Sequence, residues 1–247
     1  MASNLFLNNL DIVDDLKELS KKRPVFHSED DFKFAFAWHI KDQHPDVEIF
    51  LERPTKIDMV NRDGIKSTVV APIDIVLKSK GKYLPIELKY KTLSYKGNVN
   101  AEEYDLKDHS AIDEGRYRFR KDIYRVEKFI KTNVCDIGYV IQLTNNDHYK
   151  DNITGKNNYD RNYSMHDGYK IPAKDKNWNY ENKKGIKRGR DSNALINESN
   201  NQVHWTCKKE NFYCLNLEND YTCKWIDYSK NDKDDYCFNA CYVVIKK

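Results

Sequence analysis

Ala71-Pro72-Ile73-Asp74-Ile75-Val76-Leu77-Lys78, Ser79-Lys80-Gly81-Lys82 and Tyr83-Leu84-Pro85-Ile86-Glu87-Leu88-Lys89-Tyr90 read together as two antiparallel strands joined by a tight turn. Apolar and polar residues alternate on both arms, and Gly81 supplies the positive φ that a two-residue hairpin turn needs. Counting outward from the turn pairs Ser79 with Lys82, Lys78 with Tyr83, Leu77 with Leu84 and Ile75 with Ile86. Asp74 then lands opposite Glu87. Alternation sends Ile73, Ile75, Leu77, Leu84, Ile86 and Leu88 to one face, and Asp74, Glu87 and Lys89 to the other.

Directly opposed carboxylates lie about 4.5–5.5 Å apart between Cβ atoms, and such a pairing is destabilising. Two acids placed there ask for a compensating cation. A hard divalent ion with oxygen ligands, Mg²⁺ with Mn²⁺ as a substitute, is the natural candidate. Asp74 and Glu87 would hold it, and a bound water of lowered pKa would then become a nucleophile. Lys89 would position or deprotonate that water, or stabilise charge developing on a phosphate. The bland alternative is a surface hairpin whose polar face carries a solvated salt-bridge cluster.

Ser28 has the character of a helix N-cap, with Glu29, Asp30 and Asp31 in the first turn. That helix is expected to run to His44, stopped by Pro45, with Phe32, Phe36, His39 and Ile40 on one stripe. Before it, Leu5, Leu10, Val13 and Leu16 suit a short amphipathic helix from Leu5 to Leu19. Val47–Leu51 reads as a short strand and Thr92–Asp105 as a polar loop. Phe119–Lys131 reads as a helix, and Ile137–Thr144 as a strand covered on both faces. His148–Gln202 lacks a sustained period and is expected to form a long loop or insertion. Strand character returns at Phe212–Leu217, Thr222–Tyr228 and Phe238–Ile245.

On Asp74 and Glu87-Leu88-Lys89 the chain resembles the PD-(D/E)XK nuclease superfamily. Ile73 separates Pro72 from Asp74, so the literal proline–aspartate pair is absent. The resemblance implies an α/β, restriction-endonuclease-like αβββαβ core: a mixed four-stranded sheet flanked by helices. It spans about residues 28–145, leaving an insertion at about 148–202 and a C-terminal β extension at about 203–247 within one nuclease domain. It further implies a Mg²⁺-dependent endonuclease hydrolysing DNA, in restriction or another defence against foreign DNA. Asp74, Glu87 and Lys89 would be catalytic. Glu29, from the first helix, would complete the metal shell, with Glu52 as its rival. Gln142, the lone polar side chain in Ile137-Gly138-Tyr139-Val140-Ile141-Gln142-Leu143, would stand near the scissile phosphate.

Lys183, Lys184, Lys187, Arg188 and Arg190 put five cations within eight residues. Beside a phosphodiesterase core such a run suits a nucleic-acid contact, although a solvated loop has the same composition. Tyr159, Tyr163, Tyr169, Trp178 and Tyr180, interleaved with Lys and Arg, suit stacking on bases. Arg116, Arg118 and Arg120 would touch phosphates or lie exposed, and Asp122 with Arg125 has the spacing of a helical ion pair.

The 247 residues carry a net charge of only +3 and a mean hydropathy of -0.87, with 13% aromatic residues arguing against wholesale disorder. No apolar run is long enough to span a bilayer, and the start lacks the pattern of a signal peptide. A reducing cytoplasm is therefore expected. Cys207, Cys214, Cys223, Cys237 and Cys241 then read as buried thiols of a second sheet rather than a zinc site, since none form a CxxC pair. With 9 glycines and no Gly-rich phosphate loop, nucleotide-binding Rossmann and P-loop readings have no support. The rival to an enzyme is a non-catalytic nucleic-acid-binding protein on the same scaffold. RNA as substrate and a homodimer are both compatible with the sequence.

Overall fold

A computed structural model describes residues 10–153, 155, 157–189, 194–231 and 236–247. Helix α1 (Ile12–Lys22) starts at Asp11, whose carboxylate accepts from the Val13 and Asp14 amides. It begins later than its apolar spacing suggests, and Leu5 lies outside the described residues. Helix α2 (Glu29–Gln43) is capped as expected, Ser28 Oγ accepting from Asp31 N at 3.1 Å.

The central sheet is mixed and has six strands, in the order β1-β2-β3-β6-β12-β11. Its members are β1 (Glu48–Val60), β2 (Lys66–Ser79), β3 (Lys82–Lys91), β6 (Ile137–Thr144), β11 (Lys224–Asn231) and β12 (Tyr236–Lys246). Only β3 and β6 run parallel; every other neighbour is antiparallel. The expectation of four strands plus a separate C-terminal sheet is thus corrected. The last strands extend the same sheet, because the edge of β6 away from β3 needs a partner and β12 supplies it.

α1 and α2 cover one face, packing Leu16, Phe32, Phe36 and Ile40 on Ile75, Leu77, Leu84, Ile86 and Leu88. α3 (Ile112–Thr132) covers the other with Tyr117, Ile123, Val126 and Phe129, against Val76, Val140 and Val243. Gly138 permits this approach: a Cβ there would stand 2.6 Å from a Val126 methyl and 2.9 Å from the Pro85 ring.

Residues Thr92–Asp105 form a small hairpin, β4 (Tyr95–Val99) with β5 (Glu102–Leu106), rather than a loop. Its turn at Asn100-Ala101 takes positive φ at both positions. The segment after β6 is likewise built. It contains β7 (Lys170–Ile171), β8 (Ile186–Arg188) and β9 (Leu195–Asn197), and β7 pairs with β10 (Tyr221–Thr222). Phe212–Leu217, expected as a strand, is a 3₁₀ turn followed by extended chain that meets the end of β1 through an isolated Asn61–Tyr213 bridge, with Cys214 N donating to Val60 O and Arg62 N to Phe212 O.

Buried arginines hold this segment on α3. Arg116 pairs with Asp160 at 2.6 Å and donates to His148 O, and Arg120 donates to the carbonyls of Pro172, Ala173 and Leu215. The expectation that these two arginines lie exposed or on phosphates is therefore corrected; only Arg118 is exposed. The six cysteines are free thiols, with Cys237 and Cys241 on β12 of the main sheet. Among the described residues no helix is long and apolar enough to cross a membrane.

Candidate active site

The β2–β3 hairpin turns at Lys80 and Gly81, whose φ values of 50° and 77° make the two-residue primed turn that fits twisted strands. Its ladder matches the alternation count from Ser79 with Lys82 as far as Ile75 with Ile86, and ends there. At the next step the strands part. Instead of a backbone acceptor, β2 offers the Asp74 side chain, which accepts from Leu88 N at 2.8 Å. On the other side of β2, Glu52 takes a φ of 50°, and the β1–β2 ladder skips the pairing of Glu52 with Asp74. This double kink corrects the expected face of Ile73. It packs with Val76 beneath α3, not with Ile75 beneath α2. A strained non-glycine residue in the middle of a strand is a common mark of a functional site.

The face that carries Glu87 and Lys89 is roofed by α3, and its charges are buried with the helix's own, unlike the solvated cluster of the bland alternative. Glu87 is fully buried (0% exposed), as is Asp122 (1%). Arg125 Nη2 stands 3.0 Å from Glu87 Oε1, while Nη1 lies 3.1 Å from Asp122 Oδ1. Asp122 Oδ2 in turn lies 3.3 Å from Lys89 Nζ, which also donates to its neighbour's carbonyl, Leu88 O, at 2.8 Å. The Asp122–Arg125 pair read from helical spacing is therefore present, and it is part of the site. Burial, aided by the Asp122 and Asp74 charges, lifts the Glu87 carboxyl well above its ordinary range against the pull of Arg125. Burial also works to strip the Lys89 proton, but Asp122, then Glu29 and Glu87, outweigh it and hold the ammonium above lysine's usual range.

Four side chains here keep buried polar atoms without a hydrogen-bond partner: both Glu87 oxygens, Asp122 Oδ2, Arg125 Nε and both ends of the Gln142 amide. Despite its nearness, Arg125 meets Glu87 off the hydrogen-bonding direction. Gln142 is fully buried, in register with Lys89 across the parallel β3–β6 pair. Buried polar groups in folded proteins nearly always have partners, so a cluster of orphans marks a place built for something else.

Lys33 escaped the sequence reading because it sits on an otherwise apolar stripe. Its ammonium is 2.8 Å from Asp30 and 3.9 Å from Asp74, and it donates to Glu52. These acids, opposing the effect of burial, hold it above the ordinary lysine range. Glu29 accepts from Tyr90 N at 2.9 Å and stands 3.9 Å from Lys89 Nζ. Glu29, Asp74 and Glu87 are not gathered into one shell: among the described residues no three His, Cys, Asp or Glu side chains form a metal-holding group. The donors that remain, Asp74 and Glu87, are all-oxygen, and the two Glu87 oxygens lack donors. They fit a hard cation, since Mg²⁺ typically takes one or two carboxylates and completes its shell with water and phosphate oxygens.

Lys187 and Arg188 of the basic run lie on β8 of the β8–β9 ribbon, and Lys183 and Lys184 precede it. Lys184, Lys187 and Arg188 are exposed, Arg190 lies outside the described residues, and Lys183 sits 4.0 Å above the Tyr159 ring and donates to Asn157 O. The insertion's aromatics are not free for bases. Tyr163 and Trp178 are buried against Tyr117, and Tyr159 and Tyr180 pack on each other beside Trp205. Tyr169 is half-buried against His166. No family model and no curated protein matches this chain.

Proposed function

We propose that the protein is a Mg²⁺-dependent endonuclease that hydrolyses DNA phosphodiester bonds on a restriction-endonuclease-like core. The supporting observation is the fork between β2 and β3, where a fully buried Glu87 with two undonated oxygens stands beside Asp74 and a charged Lys89. The strand and helix order α2-β1-β2-β3-α3-β6 is compatible with such a core. Asp74 and Glu87 would hold the ion, Mg²⁺ or Mn²⁺. When bound, it would polarise a phosphate oxygen and lower the pKa of a water.

The chain's own residues do the rest. The Asp74 carboxylate is fixed by the Leu88 amide, so one of its oxygens is oriented before anything binds. Lys89, kept as an ammonium by Asp122, stabilises negative charge building on the phosphate and does not abstract a proton. Glu29 braces the Tyr90 amide and the Lys89 head from α2. The Gln142 amide, with donor and acceptor both unused, is placed to orient a water or a phosphate oxygen. A role in cytoplasmic defence against foreign DNA goes with this reading.

The second reading, a nucleic-acid binder without catalysis, draws on the cations already at the acids: Arg125 at Glu87 and Lys33 at Asp74 and Glu52. Plasmid, linear duplex and RNA, each incubated with Mg²⁺ and with EDTA, separate the two. Cleavage that needs Mg²⁺ and falls at least about 100-fold in Asp74→Ala and Lys89→Ala supports the enzyme. Undiminished cleavage in both variants overturns the assignment, and metal-independent binding with no cut ends favours the binder.

A further inference from the structure

α3 and β3 face each other in three successive rungs. Arg125 stands over Glu87, and Asp122 over Lys89. One turn earlier on the same helical stripe comes Arg118, and two residues further on the same face of β3 comes Lys91. The first two rungs set opposite charges together; the third sets cation against cation. Burial lowers the Lys91 pKa, with Arg118 and Lys89 pressing the same way against Glu29 and Asp122. Among the described residues the half-buried Lys91 side chain has no ion-pair or hydrogen-bond partner, whereas Arg118 holds only a rim pair with Glu114 at 2.7 Å.

His109 completes the surround. Thr92 N donates to its Nδ1 at 3.0 Å, which leaves the ring proton on Nε2 of an exposed ring, and the Lys91 charge bears on that ring. The cluster therefore offers an ammonium, a guanidinium and an imidazole N–H, with no acid of its own on the Lys91 side chain. Such a set suits a phosphate.

We propose that Lys91, Arg118 and His109 form a subsite for the backbone phosphate next to the one being cut. Two residues along β3 separate Lys91 from Lys89 by about 6.6 Å, comparable to the step between consecutive phosphates of one strand. The subsite rests on the nuclease reading for which phosphate is cut, but it makes a claim about binding that is measured without cleavage.

The test uses the full chain carrying Asp74→Asn and a fluorescein-labelled DNA duplex, with anisotropy read across a range of KCl concentrations. Adding Lys91→Met weakens binding several-fold and flattens the slope of log K against log salt by about 0.9, one phosphate contact. Lys91→Arg restores both. Lys17→Met, on α1 across the sheet, leaves the slope as it was. His109→Phe weakens binding without flattening the slope by a full contact, because the neutral ring carries no charge. An unchanged slope in Lys91→Met, with unchanged thermal stability, overturns the subsite. Should the wild-type chain never cleave with Mg²⁺, the nuclease reading falls while the slope still decides whether Lys91 binds a phosphate.

Discussion

Replacing Arg125 by Met removes the only cation that, among the described residues, lies within ion-pair distance of the fully buried Glu87. Unit charges about 4 Å apart at an effective dielectric of about 20 attract by about 4 kcal/mol. Breaking a buried pair from one side typically costs about 3–5 kcal/mol, because the remaining charge is left without a partner. In a chain of this size each kcal/mol lowers the melting temperature by about 2–4 °C, so Arg125→Met should melt roughly 6–20 °C lower. The loss must depend on pH. The Glu87 carboxyl already titrates above its unfolded range in the native state, and losing Arg125 moves it further up. A raised acid costs nothing while both states are protonated, and its cost grows as pH rises toward the folded pKa. The penalty is thus larger at about pH 8 than at about pH 5. Glu87→Gln combined with Arg125→Met should recover at least about 2 kcal/mol of it, the coupling of the pair. Urea titration of the four proteins, at both pH values, measures this. Free Mg²⁺ at about 100 times its Kd should restore about 2.7 kcal/mol to Arg125→Met and nothing once Glu87 is Gln. A loss under about 1 kcal/mol, or a double variant no stabler than the single, refutes the reasoning.

Two other outcomes follow from the packing. Arg120→Met strips donors from the buried carbonyls of Pro172, Ala173 and Leu215, and should cost roughly 2–4 kcal/mol. Limited proteolysis should then cut first between residues 157 and 182. Burial holds the His39 pKa below its ordinary value, so the unfolded chain binds more protons just below about pH 6.5 and stability declines on acidification. His39→Gln should shallow the drop in urea midpoint between about pH 7.5 and 5.5; an unchanged drop assigns the sensitivity elsewhere.

The hairpin was legible because both of its determinants are local. A Gly in the turn sets the register, and strict alternation sorts the faces from Leu77 and Leu84 out to Ile75 and Ile86. Legibility ended at Ile73, where the Asp74–Leu88 bond and the left-handed Glu52 bend the strand. A side chain that replaces a backbone acceptor leaves no trace in periodicity. Glu87 and Lys89 could be placed on one face, but not under a roof. The docking of α3 is a long-range event, and the spacing of Asp122 and Arg125 says nothing of what they cover. Lys33 was hidden for a related reason, since a lysine on a buried stripe is legible only once its three acids are in place. The insertion misled by composition. Its Asn, Lys and Tyr look like a solvated tether, yet arginine bonds to backbone carbonyls from α3 let Tyr163 and Trp178 form core.

The strand order also sets a timetable for folding. Ile75 and Ile86 are close neighbours along the chain, whereas Gln142 finds Cys241 only after almost a hundred residues of intervening chain. Hairpins close in about 1–10 μs, and distant strand pairings are far slower. Asp74 and Glu87 are thus brought together by the earliest event, before α3 delivers Arg125 and Asp122. During that interval the nascent acids repel one another with only the hairpin's own Lys89 and solution ions to quiet them, so the ionic content of the refolding buffer acts on this hairpin early.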